Sequence, residues 1–189
     1  VKLATNDVNE AERHFHTARA LAVTVGDLRL QLDSENNLGE VFRIRGESRN
    51  AERMYEGVAR VANEREWPEC AAIAHLNLAI ISHNREEEQF ARIAIDEAEK
   101  CLVNLPQHWA WMFIGVVRAA WAAELRDEPT CRAWWSVAQD RGLGRIAAPD
   151  LVSPLERLAR AATLHQWNDI ASRAVQYRDA IVDSFPAKD

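Results

Sequence analysis

The chain has 189 residues, of which 48% are hydrophobic and 28% charged, and its net charge is -6 at pH 7. This balance is typical of a folded globular protein and excludes a disordered segment. The acidic charge argues against nucleic-acid binding, which favours a basic surface, and no apolar run reaches the length of about 18 residues that a transmembrane helix needs.

The cysteine content and the first residues bear on the setting of the protein. Cys70, Cys101 and Cys131 are odd in number and lack metal-type spacing, which is typical of a reducing cytosol. The start, Val1 to Thr5, has neither a methionine nor an apolar signal region. We therefore expect a cytoplasmic protein, and we interpret the chain as a piece of a larger one.

Nearly every segment predicts a helix, because helix-forming residues dominate and apolar residues recur at steps of three and four. Gly26 and Gly46 are predicted helix stops, and Pro68 is a predicted helix start. An eighth helix begins either near Pro149 or at the capping sequence 153–156, and the pattern leaves both starts open. The other eight are predicted at about residues 7–25, 28–45, 49–66, from 67 onward, 87–103, 107–125, 127–142 and 168–184.

Residue size repeats with a period of 40. Small residues stand at Ala11, Ala51, Ala91, Cys131 and Ala171. Large apolar residues follow four positions later, at Phe15, Tyr55, Ile95, Trp135 and Val175. Twelve positions before the small residues, where the chain reaches, stand further small ones: Gly39, Ala79, Ala119 and Ala159.

A fixed period of this length is typical of a solenoid, in which each unit buries its apolar face against its neighbours. The sequence therefore predicts an all-α solenoid of antiparallel helix pairs, about nine helices in a single domain. The repeat units are predicted at about residues 1–26, 27–66, 67–104, 105–144 and 145–189. We name the first helix of each pair the A helix and the second the B helix; the first unit contains a B helix alone.

The clearest unit contains Asn37-Leu38-Gly39, Phe42, Gly46, Ala51 and Tyr55. These residues and their spacing resemble a tetratricopeptide repeat. Later units depart from that pattern at the positions of Ser82, Glu86, Arg118 and Arg178. The 40-residue period is longer than the usual 34 of that family and falls in the HEAT and armadillo range, which is the structural alternative.

The resemblance implies a right-handed superhelix whose A helices line a concave, ligand-binding face. It also implies a non-catalytic scaffold for a protein or peptide partner, part of a large bacterial signalling protein of the kinase or ATPase type. Asn37 and Asn77 share one repeat position and are expected to bond a peptide backbone. The positions that the resemblance assigns to the ligand are Asp33, Asn36, Asn37, Glu40, Arg43, Asn77, Ile80, His83, Asn84, Phe113, Val117, Glu156, Arg157 and Arg160.

Other chemistry is sparse in the sequence. The six histidines are scattered, so we expect no metal, and neither a cofactor motif nor a catalytic arrangement is legible. Five of the seven tryptophans lie between Trp109 and Trp135, and they are interpreted either as core or as a binding surface. A small-molecule sensor with its ligand near these tryptophans is the alternative function. The first helix, 7–25, lacks a partner on its N-terminal side, and we expect it to promote self-association.

Overall fold

The computed structural model describes residues 8–145 and 148–185. Over these residues the protein is all-α and contains no β-strand, which confirms the predicted fold class. The helices are α1 Val8–Val25, α2 Leu28–Ile44, α3 Ser48–Glu64, α4 Pro68–Asn84, α5 Glu88–Leu102, α6 Ala110–Glu124, α7 Glu128–Asp140, α8 Val152–Leu164 and α9 Asn168–Ser184.

The contacts divide the chain into two compact units, Val1–Asn104 and Leu105–Asp189. The first contains α1 to α5, in which each helix packs against the next, and α2 also touches α4. The second contains α6 to α9, in which α6 packs against both α7 and α8, and α8 packs against α9. The division falls where the sequence analysis places the boundary between two repeats; a single solenoid domain stays a prediction.

A 20-residue helical module underlies the 40-residue period. Helices begin at residues 8, 28, 48, 68, 88, 128 and 168, so one helix and one turn occupy 20 positions. At the α3–α4 turn, the Trp67 amide donates to the Ala62 carbonyl at 2.9 Å and the Glu66 amide donates to the Asn63 carbonyl at 3.1 Å. This is a Schellman motif, which satisfies the last carbonyls of one helix while the next helix begins. The same pair of bonds recurs after α1, α2, α4, α6, α7 and α8.

The motif requires a residue in the left-handed conformation, and three of these seven turns have glycine at that position. Gly26, Gly46 and Gly142 supply it after α1, α2 and α7, with φ of 72°, 76° and 102°. The other four turns use residues with a Cβ, which pay a steric cost of about 1–2 kcal/mol in this conformation. They are Glu66, Glu86, Arg126 and Gln166, with φ between 56° and 63°.

Two junctions, before α6 and before α8, are longer than the 20-residue module allows, and the sequence explains the first of them directly. Pro106 stands 20 residues after Glu86, at the left-handed position, where a proline ring fixed at negative φ cannot serve. The chain there forms a longer connection, and α6 begins at Ala110. At the other junction Gly142, with φ of 102°, ends α7 at Asp140.

The start of α8 lies between the two predicted positions. A short 3-10 turn, Pro149–Leu151, precedes α8, which begins at Val152. Ser153 therefore lies in the first turn of α8, and the predicted capping box is not what starts this helix.

The periodic columns form the helix interfaces. All nine small residues of the two columns are buried, as are the large residues except Val175, which is half-buried. A Cβ added to Gly39 would lie 2.6 Å from the ring of Tyr55, so α2 and α3 approach closely at this point. The predicted small pairs lie on helices that pack together: α2 with α3, α4 with α5, and α8 with α9.

A close approach of the α6 and α7 backbones was not predicted. A Cβ added to Gly115 on α6 would lie 2.8 Å from the Ala138 nitrogen and 2.9 Å from the Trp134 oxygen. These are backbone atoms of α7, which cannot move aside as a side chain can. Gly115 therefore sets the spacing of α6 and α7.

An ion pair recurs with the repeat in the first unit. The Arg45 guanidinium contacts Glu12 at 2.7 Å, and the Arg85 guanidinium contacts Glu52 at 2.9 Å. Each arginine follows an A helix and each glutamate lies on the preceding B helix. The hydrogen bond from Arg45 holds the pKa of Glu12 below its usual value. Such exposed pairs fix register more than they add stability.

The first helix has one covered side. α1 packs against α2, whereas α3 is packed between α2 and α4. Leu21 and Val25 on α1 are 59% and 72% exposed, whereas Arg19 on α1 bonds to Glu35 of α2 at 2.9 Å. Self-association through α1 stays a prediction.

Candidate functional site

The predicted ligand-facing residues lie on four A helices, two in each unit. In the first unit they lie on α2 and α4, and in the second on α6 and α8. The helices of each pair touch, so each unit has one continuous A-helix surface. We name these surfaces the α2–α4 surface and the α6–α8 surface.

Polar side chains join the two helices of the α2–α4 surface. The Asn77 amide nitrogen donates to the Asn36 side-chain oxygen at 3.0 Å. Asn37, which shares its repeat position with Asn77, is half-buried on α2. The Asn77 amide bonds to Asn36 and not to Asn37. One Asn77 donor is therefore engaged within the protein, and the remaining donor and the carbonyl are open to a ligand.

The pair formed by Glu40 and Arg43 is held in place on the same surface. The Arg43 Nε donates to Glu40 at 2.8 Å, and the Tyr55 hydroxyl donates to the same carboxylate at 3.2 Å. A fixed carboxylate and guanidinium can recognise a polar ligand with little loss of side-chain entropy. Ile80 and His83 are half-buried beside them on α4, while Asn84 and Asp33 are exposed.

The α6–α8 surface combines a buried aromatic with exposed charges. Phe113 is only 7% exposed and belongs to the core, so it offers a ligand little of its ring. Val117 and Arg157 are half-buried, and Glu156 and Arg160 are exposed.

An open cleft of about 520 Å³ lies at the C-terminal ends of α6 and α8. Two of its lining residues, Arg157 and Arg160, belong to the predicted set. The others are Glu124, Arg126, Ala161, Thr163, Leu164 and His165, which sequence reasoning missed. The period places Arg126 in a turn, and no sequence signal marks that turn as part of a site.

The tryptophans mostly pack within the second unit. Trp121 and Trp135 are buried, and Trp135 contacts Tyr177 with ring centroids 5.9 Å apart. Trp111 stacks on Trp134 at 6.5 Å, and both are half-buried. The Arg118 guanidinium lies 5.5 Å from the Trp121 ring and 6.0 Å from the Trp134 ring.

Trp109 is the tryptophan of this group that is open to solvent, being 46% exposed. The Trp111 indole also donates to the Leu105 carbonyl at 3.0 Å, which uses its one polar atom inside the unit. The cluster is therefore chiefly a packing element, and Trp109 is the part of it that a ligand can reach most easily.

Burial favours the neutral forms of His75 and of the three cysteines. Burial lowers the pKa of His75 on α4; the negative charge of Glu97 opposes this shift, and the positive charge of Lys100 adds to it. Burial also raises the pKa of all three cysteine thiols, to about 11 for Cys131. A buried thiol with so high a pKa is a poor nucleophile at neutral pH.

Residues 8–145 and 148–185 show neither a metal-binding cluster nor a membrane-spanning helix. Within these ranges no cluster of three or more histidine, cysteine, aspartate or glutamate side chains is arranged to bind a metal ion. In the same part of the chain, no helix has the length and apolar character needed to cross a bilayer.

Comparison of the chain with protein-family models, with curated proteins and with solved structures finds no match.

Proposed function

We propose that this chain is a non-catalytic scaffold of the tetratricopeptide type that binds a protein or peptide partner through its A-helix surfaces. The observation that carries the proposal is the pairing of neighbouring A helices, α2 with α4 and α6 with α8, each with polar side chains at the junction. Adjacent helices that present half-exposed amides and guanidinium groups suit an extended peptide, whose backbone offers donors and acceptors at regular spacing.

The wider setting is part of the same proposal. The repeat and the resemblance suit a regulatory or sensor region of a larger cytoplasmic bacterial signalling protein. The alternative, a small-molecule sensor with its site among the tryptophans, has less support, because these rings stack on one another and on Arg118. A metabolite that changes the tryptophan fluorescence of the purified chain at micromolar concentration would favour that alternative.

The experiment is a selection of displayed peptides on the folded chain, followed by affinity measurements on variants. Asn37→Ala and Asn77→Ala should each weaken a peptide bound at the α2–α4 surface by about 0.5–1.5 kcal/mol. Arg160→Gln makes the corresponding test on the α6–α8 surface. The matched control is Gln89→Ala, which removes an exposed amide from the B helix α5.

Stability must be measured beside affinity, because Asn77→Ala also breaks the bond to Asn36. A variant that binds normally but unfolds earlier would make Asn77 a structural residue. The scaffold proposal is overturned if selection yields no binding peptide, or if every selected peptide tolerates the A-helix variants.

A further inference from the structure

The cleft at the C-terminal ends of α6 and α8 concentrates positive charge in an acidic chain. Its charged lining is Glu124, Arg126, Arg157 and Arg160, so three arginines against one glutamate give a net charge of +2. The whole chain has a net charge of -6. A local field of the opposite sign to the net charge attracts anionic ligands to that place.

Two of the arginines remain available to a ligand. Arg157 is committed to Glu124, with its Nε and a terminal nitrogen at 2.7 Å and 2.6 Å from the two carboxylate oxygens. Arg126 and Arg160 are exposed, and among the described residues neither side chain has an ion-pair or hydrogen-bond partner. The fixed Glu124–Arg157 pair forms one wall of the cleft, and the two other arginines can move to meet a ligand.

The cleft also has an apolar part. Leu164 is 73% exposed at the end of α8, and Ala161 lies one turn before it. An exposed leucine between arginines is unfavourable in water but suits a ligand that is both acidic and apolar.

The helix dipoles of α6 and α8 explain only part of the positive charge in the cleft. A cation near a helix C-terminus complements the helix dipole, which accounts for Arg126 just after α6. Arg157 and Arg160 lie before the last turn of α8, which itself contains no basic residue. The dipole therefore does not account for these two arginines.

We propose that this cleft binds a peptide segment in which aspartate or glutamate side chains flank an apolar residue. The inference rests on the proposed scaffold function and names its ligand class at the α6–α8 surface. Compact phosphate dianions are favoured where helix N-termini supply free amide groups, whereas this cleft lies at C-terminal ends, where carbonyl groups carry partial negative charge that opposes a dianion more strongly than a single carboxylate. Carboxylates spread along a peptide can instead be reached by the long side chains of Arg126 and Arg160.

The test is a fluorescence-anisotropy titration of the full chain with a short labelled peptide containing acidic residues on both sides of a leucine. A second peptide carries asparagine and glutamine at the acidic positions, and a third carries phosphoserine there. Arg160→Gln should weaken the acidic peptide about fivefold or more, as expected for the loss of a charge-assisted hydrogen bond. The matched control is Arg173→Gln, which removes an exposed arginine from α9 in the same unit.

Arg126→Gly separates binding from folding. It removes a cleft arginine and also relieves the left-handed conformation at φ of 61°. We expect weaker binding of the acidic peptide together with a higher unfolding midpoint, which a merely structural role cannot give. Gln166→Gly, at the equivalent turn after α8, should raise the midpoint and leave binding unchanged.

The outcomes distinguish this inference from the scaffold proposal. Tight binding of the acidic peptide that weakens with added salt and with Arg160→Gln supports the inference. The inference is overturned if the acidic and amide peptides bind equally well or if no peptide binds. It is also overturned if the chain prefers the phosphoserine peptide or if inorganic phosphate alone competes with the acidic peptide. If peptides selected by display still bind the α2–α4 surface in any of these cases, the scaffold function stands and only the cleft assignment fails.

Discussion

The two units use the same helical module with different regularity. In residues 1–104 each of the first four helices ends in this turn and the next helix follows directly, whereas in residues 105–189 the next helix follows directly only after α6 and α8. The difference arises before α6, where Pro106 stands at the left-handed position, and after α7, where the turn at Gly142 leads into a longer connection. A sequence period therefore fixes where helices occur, and local turn chemistry decides where each helix ends.

The units also differ at the position of Gly115. In the second unit the α6 backbone at Gly115 lies against the α7 backbone, whereas in the first unit the corresponding α4 position holds the larger His75. The close backbone contact at Gly115 therefore depends on a glycine that the first unit lacks at this position.

The largest effect is expected at Gly115. Gly115→Ala should destabilise the second unit by about 3 kcal/mol, because its Cβ would meet backbone atoms of α7. The matched change in the first unit is Gly57→Ala within α3, where an added Cβ meets nothing within 4 Å. That variant should gain about 0.5–1 kcal/mol from helix propensity, and urea denaturation of both variants measures the contrast. Equal effects at the two positions would mean that α6 and α7 are not in close contact.

Substitutions at the left-handed turn residues of the first unit should change the free energy of unfolding by less than Gly115→Ala does. Glu86→Gly should stabilise the protein by about 0.5–1 kcal/mol, because glycine adopts the left-handed conformation without steric cost. Gly46→Ala should destabilise it by about 1 kcal/mol for the converse reason. Glu86→Ala is the control, since it removes the carboxylate but keeps the strained conformation. A gain in Glu86→Ala equal to that of Glu86→Gly would assign the effect to charge.

His75 should make the first unit sensitive to acid. Burial lowers its pKa in the folded state, so below the unfolded value of 6.5 the unfolded chain takes up a proton that the folded chain does not. The stability contributed by neutral His75 is thus complete above that pH and falls as the pH drops toward the folded pKa. Hydrogen exchange of α4 and α5 at decreasing pH measures this loss, with Glu97 and Lys100 as the neighbouring charges. A wild-type profile no steeper than that of His75→Leu would contradict the assignment.

The helices were predictable because the 40-residue period keeps small and large residues in register throughout the chain. The start of α8 was not predictable in this way, since a 3-10 turn at Pro149–Leu151 competes with the capping sequence beginning at Ser153. The close contact at Gly115 was also missed, because this glycine lies outside the small-residue columns. Sequence spacing finds a column only where the same size recurs in every repeat.

The candidate site was predictable only in part. The A-helix positions led to Arg157 and Arg160, but the cleft they line also depends on Arg126 in a turn and Glu124 at the end of α6. The sequence predicted that Asn77 would act together with Asn37, but the Asn77 side chain bonds to Asn36. Which asparagine it reaches depends on the angle at which α2 and α4 cross. Crossing geometry is set by packing in three dimensions and is not encoded in residue spacing alone.

The most direct test of the account is a chemical-shift map of the isotopically labelled chain with a peptide obtained by display selection. We predict that the amide signals with the largest shifts belong to A helices, with those of α6 and α8 near Arg160 dominant for an acidic peptide. Shifts confined to the B helices α1, α3, α5, α7 and α9 would contradict the claim that this protein binds its partner through the A-helix surfaces.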